Sequence, residues 1–98
     1  MKRMKFSINS WIFGNLSIEE IARRAKEIGV DGIDVSGEPD TIDAKAVKAT
    51  LDKYGLKVFD INGNFTEENR IMCHKDPQMR ASAVEYGKKC VDMAVDAG

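Results

Sequence analysis

The side chains able to do chemistry fall into two sets. Cys73 and His74 are adjacent, which invites a nucleophile–base reading. Neighbours in a loop rarely reach that geometry, and no third group is placed to orient the histidine. A histidine on a surface loop is the expectation, and Cys90 reads as a small core residue. The second set lies in three short segments that alternate with period two. Ser7, Asn9 and Trp11 oppose Phe6 and Ile8; Asp34, Ser36 and Glu38 oppose Ile33 and Val35; Asp60, Asn62 and Asn64 oppose Phe59 and Ile61. That period sorts side chains onto the two faces of a strand. Asp34 with Asp60 could form a carboxylate pair for acid–base work, but their mid-strand positions argue against it. A buried carboxylate needs partners, so an ion pair or hydrogen-bonded network is expected there.

Helices must separate these strands. After a strand over about 5–11, Ser17-Ile18-Glu19-Glu20 reads as a capping box, with Ser17 and Glu20 each satisfying the other's amide. Ile18, Ile21, Ala22, Ala25 and Ile28 follow at helical spacing, and Gly29 ends the run as a left-handed cap. A second strand over about 32–36 leads through Gly37-Glu38-Pro39-Asp40 to a helix starting near Asp43, with Ala44, Val47, Leu51 and Tyr54 as its apolar side. Gly55-Leu56 repeats the stop. A third strand over about 57–62 precedes a long polar stretch, 63–75. Asp76 then caps a helix that opens on Pro77, where the missing N–H costs nothing. Val84, Val91 and Ala94, with Cys90 adjacent, are its expected buried stripe. Arg80 is expected on a solvated face, the alternatives being a reach to the preceding loop or to an anionic ligand.

Strands alternating with helices predict parallel βαβ units and an α/β fold. Parallel strands covered on both faces usually read as continuous apolar runs, and these do not. Two arrangements accommodate the polar face: a sheet wet on one side, or a barrel whose interior is polar because it holds a site. The connections favour the barrel. Joints after helices are short, whereas those after strands are longer, 12–16, 37–42 and 63–75. Elaborated loops after strands put the working face at the strands' C-terminal ends, as in (βα)8 enzymes.

Composition removes several classes. The chain has 98 residues, 15 Lys and Arg against 16 Asp and Glu, and a formal net charge of −1. That balance lacks the basic excess behind nucleic-acid affinity. No apolar run approaches the ~20 residues of a membrane span, and polar residues break the stretch after the basic start too often for a signal-peptide core. Two cysteines make neither a disulfide framework nor a metal knuckle, so a reducing, cytoplasmic setting is the default.

Several segments in order resemble a known family. Ser10-Trp11 ends the first strand. Gly29-Val30-Asp31-Gly32-Ile33-Asp34-Val35 and Ser36-Gly37-Glu38 bracket the second, and Tyr54-Gly55-Leu56-Lys57-Val58 enters the third. Asp76-Pro77-Gln78-Met79-Arg80 opens the last helix, and Val91-Asp92-Met93-Ala94-Val95-Asp96-Ala97-Gly98 closes it. Together they resemble the N-terminal portion of the sugar phosphate isomerase/epimerase family, the xylose-isomerase-like TIM barrels, nearest to ketose 3-epimerases of the tagatose or psicose type. The fold implied is α/β: residues 1–98 as three consecutive βα units of one TIM (β/α)8 barrel domain, truncated before strand 4. Such a barrel takes about 250 residues.

The resemblance implies a metal-dependent parent enzyme that moves a proton at the carbon next to a carbonyl through an enediolate. Its cofactor would be a divalent ion, manganese first and magnesium or cobalt as alternatives, with ligands and catalytic carboxylates outside this chain. No catalytic or metal residue carries over. The substrate-pocket wall does: Trp11, Ser36, Glu38, Asn62 and Asn64. Trp11 would stack on sugar C–H bonds or merely pack a loop. Glu38 would accept a sugar hydroxyl or sit solvated in its turn. Asn62 and Asn64 would bind hydroxyls or serve the turn around Gly63. The implied partner is a small-molecule sugar or sugar phosphate, with a homo-oligomer for the full-length protein and neither nucleic acid nor membrane. The 98-residue chain alone is expected to be inactive. The competing readings are an endonuclease IV-like DNA repair barrel and a small non-catalytic α/β interaction module. The first would want a basic surface and metal-binding histidines, and the second must leave three parallel strands with unpaired edges.

Overall fold

A computed structural model describes residues 3–98. Its elements are β1 (Ser7–Asn9), a one-turn 3-10 helix (Ser10–Phe13), α1 (Ile18–Ile28), β2 (Gly32–Gly37), α2 (Ala44–Lys53), β3 (Lys57–Gly63), a short 3-10 turn (Glu68–Arg70) and α3 (Pro77–Ala97). The strands form one parallel sheet in the order β1-β2-β3. This is the α/β arrangement of three consecutive βα units that the alternation predicts.

Local signals place the helix ends. Ser17 Oγ accepts from the Glu20 amide at 3.2 Å. The return half of the capping box is replaced: the Glu20 carboxylate instead accepts from Arg23 and Arg24 at 2.5 and 3.1 Å. Gly29 closes α1 at φ 94°, its N–H donating to the Ala25 carbonyl. At the end of α2 the Gly55 and Leu56 amides reach back to the Asp52 and Leu51 carbonyls, a Schellman ending that folds Leu56 onto the core. Asp43 and Asp76 cap α2 and α3 as expected.

The core lies between the helices and one sheet face. Ile33 and Val35 of β2 meet Ile21, Ala22 and Ala25 of α1, Val47 and Leu51 of α2, and Met93 and Ala97 of α3. Burying each large aliphatic side chain here stabilises the fold by roughly 1.5–3 kcal/mol. Among the described residues no helix is long and apolar enough to cross a membrane.

Four expectations need correction. First, β1 is shorter than 5–11, because the Asn9 side chain accepts from the Trp11 amide at 2.9 Å and starts a 3-10 turn instead. Phe6, before the strand, stays exposed, as does Ile28 at the end of α1. Second, Phe59 is not on the helix face. Ile33 pairs with Val58 but Asp34 with Asp60, so Phe59 is the extra residue of a bulge. Its ring lies over Gly32, where a Cβ would sit 2.5 Å from Phe59 Cδ1, and Val58 takes the helix side.

Third, α3 buries Ala83, Tyr86, Met93 and Ala97, while Val84, Val91 and Ala94 are exposed. The helix carries two apolar stripes. The small residues let it approach α2 and β3, and only that face brings the Tyr86 hydroxyl to polar partners. Fourth, Asp60 is exposed and Asp34 bonds only the Ser7 hydroxyl, at 2.8 Å, among the described residues. Among the described residues neither Asp34 nor Asp60 forms an ion pair, and Asp34 meets the hydrogen-bonding expectation through Ser7 alone.

Candidate functional site

The five strand-end residues meet. A cleft of about 400 Å³ at the C-terminal ends of the strands is lined by Asn9, Trp11, Ser36, Glu38, Asn62, Gly63 and Asn64. Parallel pairing does this directly, since Ser36 is opposite Asn62 and Gly37 opposite Gly63. Trp11 arrives on the 3-10 turn and is 77% exposed. A larger cavity of about 550 Å³ lies on its other side, walled mainly by aliphatic residues such as Ile21, Val35, Ile42 and Val47. It offers few polar groups, and the polar strand-end side chains gather at the smaller cleft.

Two residues that the sequence did not single out organise that cleft. Arg70, from the loop after β3, donates in parallel to both Glu38 oxygens: Nη1 to Oε1 at 3.1 Å and Nη2 to Oε2 at 3.0 Å. Its guanidinium lies 4.1 Å from the centre of the Tyr86 ring, a cation–π seat. The Tyr86 hydroxyl donates to the Gly37 carbonyl at 2.6 Å and accepts from the Asn64 amide at 2.7 Å. Phe65 meets the same ring edge-on at 5.2 Å. Gly37 leaves the room this needs, because a Cβ there would lie 2.8 Å from the Asn62 carbonyl and 3.0 Å from the Tyr86 hydroxyl. A tyrosine on the 83/86/90/93/97 stripe of α3 was the available signal. Nothing local distinguished Arg70 from its polar neighbours.

The electrostatics follow. Hydrogen bonding from Arg70 holds the Glu38 carboxyl below the usual carboxylate range, against a smaller opposing effect of burial. The Arg70 guanidinium is shifted up in turn. Burial raises the Tyr86 phenol. Glu38 therefore stays ionised and is a weak base, suited to accepting a hydrogen bond rather than taking a proton.

The remaining side chains differ in what they can still bind. Asn64 is committed to its own loop: Oδ1 accepts from the Thr66 amide and hydroxyl at 3.3 and 2.7 Å, and Nδ2 donates to Glu38 at 3.4 Å. Asn62 Nδ2, by contrast, is buried and has no partner among the described residues. An orphaned amide donor costs roughly 1–3 kcal/mol, which a ligand or solvent acceptor would recover.

His74 is not a free surface histidine. Its ring accepts from the Asp76 amide through Nδ1 and meets Glu68 through Nε2, both at 2.9 Å. That pairing puts the proton on Nε2 and ties the loop to the start of α3. Cys73 is exposed beside it. Arg80 is exposed, as expected of a solvated face, and also reaches the preceding loop, donating to the His74 and Lys75 carbonyls at 2.7 and 3.1 Å. Among the described residues no three His, Cys, Asp or Glu side chains are grouped to hold a metal ion. The residues present do not fit a metal centre.

No protein-family model matches the chain, and no curated protein matches its sequence. Among solved structures, a D-psicose 3-epimerase determined in the presence of D-fructose is similar in fold. Its TM-score is 0.72 over 96% of this chain and 34% of that chain, at 13% sequence identity. The chain thus spans about a third of that enzyme's length. The likeness is one of fold, to the N-terminal βα units of a TIM barrel.

Proposed function

We propose that this chain forms the N-terminal wall of the substrate cleft in a sugar isomerase/epimerase of the ketose 3-epimerase kind. The observation that carries this reading is the convergence of Trp11, Ser36, Glu38 and Asn62 on one polar cleft at the C-terminal strand ends. The epimerase fold likeness supports it. The wall offers what a sugar needs: an aromatic face for C–H bonds, a hydroxyl, an amide donor and a fixed carboxylate acceptor. Asn64 shapes the wall without facing the ligand as a free donor.

The work of these residues is binding and orientation. Glu38 is held ionised by Arg70, and Asp34 and Asp60 sit below the rim in mid-strand, so none is placed as the proton-transfer base. The divalent ion implied by the resemblance has no ligand set here, and no step is routed through it. The purified chain is therefore expected to bind a ketohexose weakly and not to turn it over. Titrating D-fructose into 15N-labelled protein should shift the Trp11 indole and the Asn62 side-chain amide. No response at either would sink the reading, and epimerisation of D-fructose by the chain alone would refute the assignment of roles.

A further inference from the structure

Glu38 is the only charged side chain lining the cleft among the described residues. A carboxylate has about four lone-pair sites. Arg70 fills one on each oxygen, and Asn64 Nδ2 fills a second on Oε1. One site remains, on Oε2. We infer that Arg70 is a positioning residue for ligand binding: it fixes Glu38 so that this single remaining acceptor meets a hydroxyl of a bound polyol. The inference rests on the reading of the cleft as a sugar-binding wall.

The geometry is over-determined in a way that a loop staple would not need. Two parallel N–H···O bonds fix the carboxylate plane as well as its place. Arg70 is itself held, stacked on Tyr86 and donating to the Asn64 carbonyl at 3.4 Å. Tyr86 is tied at its hydroxyl to the end of β2 and the loop after β3. Glu38 thus takes its orientation from three segments: its own turn, the loop after β3, and α3. The pair is sheltered, with the Arg70 side chain 12% and the Glu38 side chain 30% exposed. Freed from Arg70, Glu38 would sample several rotamers, and a ligand would bear the entropy of choosing one.

The test measures Glu38 and the ligand separately. Carboxyl 13C NMR follows Glu38 through acid, and D-fructose titration gives affinity per folded molecule, in wild type, Arg70→Met and Arg70→Lys. In wild type Glu38 should titrate below its ordinary 4.5. In Arg70→Met it should move back toward that value, with affinity falling about tenfold, the loss expected for one charge-assisted hydrogen bond. Arg70→Lys supplies a point charge without the fork and should still bind about threefold more weakly than wild type; if Arg70→Met does not fold, this variant decides. Affinity equal to wild type in the folded variants, or an unmoved Glu38 titration, overturns the inference and leaves the cleft's function standing. No fructose response in wild type overturns both.

Discussion

At the ends of β2 and β3, Glu38, Asn64, Arg70 and Tyr86 satisfy one another's hydrogen bonds. At the end of β1, Trp11 stands largely in solvent on a one-turn helix started by the Asn9 side chain. The two rims face the same cleft but are built differently. The first is a network whose members come from the connections after β2 and β3 and from α3, so its geometry is part of the fold. The second is local, set by residues within a few positions of one another. Changes at the first should therefore appear as lost stability, and changes at the second as lost binding alone.

The largest effect is expected from Gly37→Val. The added side chain would press on the Asn62 carbonyl, the Tyr86 hydroxyl and Cys90 Sγ. Overpacking of this kind costs about 3 kcal/mol, read as a shift in the urea midpoint with the slope unchanged. Next is Tyr86→Phe, which keeps the ring under Arg70 but removes the partner of the Gly37 carbonyl and the Asn64 amide. A loss of about 2 kcal/mol follows from leaving them unpaired, with faster amide exchange at Asn64. The smallest stability change belongs to Trp11→Ala, within about 0.5 kcal/mol for so exposed a residue, while the D-fructose response should disappear. If Trp11→Ala unfolded the chain, or Tyr86→Phe left stability untouched, the contrast between the rims would collapse.

Much of this was legible before any coordinates. Ser17, Asp43 and Asp76 mark helix starts, and Gly29 and Gly55 mark stops, because capping involves residues three to five apart. The alternation in the three strands brought Ser36, Glu38 and Asn62 to one face and one end of the sheet. It failed at Phe59, where the bulge adds a residue and returns the ring to the polar side. It also failed on α3. Val84, Val91 and Ala94 looked like core, but all three are exposed, the two valines at 49% and 63%. A helix with two apolar stripes does not say which one faces the sheet.

The sequence by itself determined where each α-helix begins and ends and which strand residues are polar, since those follow from interactions between near neighbours. The tertiary structure decided which face of α3 is buried, where Phe59 points, and that Arg70 and Tyr86 hold Glu38. The last is a meeting of residues 32 and 49 positions apart, Glu38 with Arg70 and Gly37 with Tyr86. Its cause is the packing of α3 against β3, which no short-range pattern encodes.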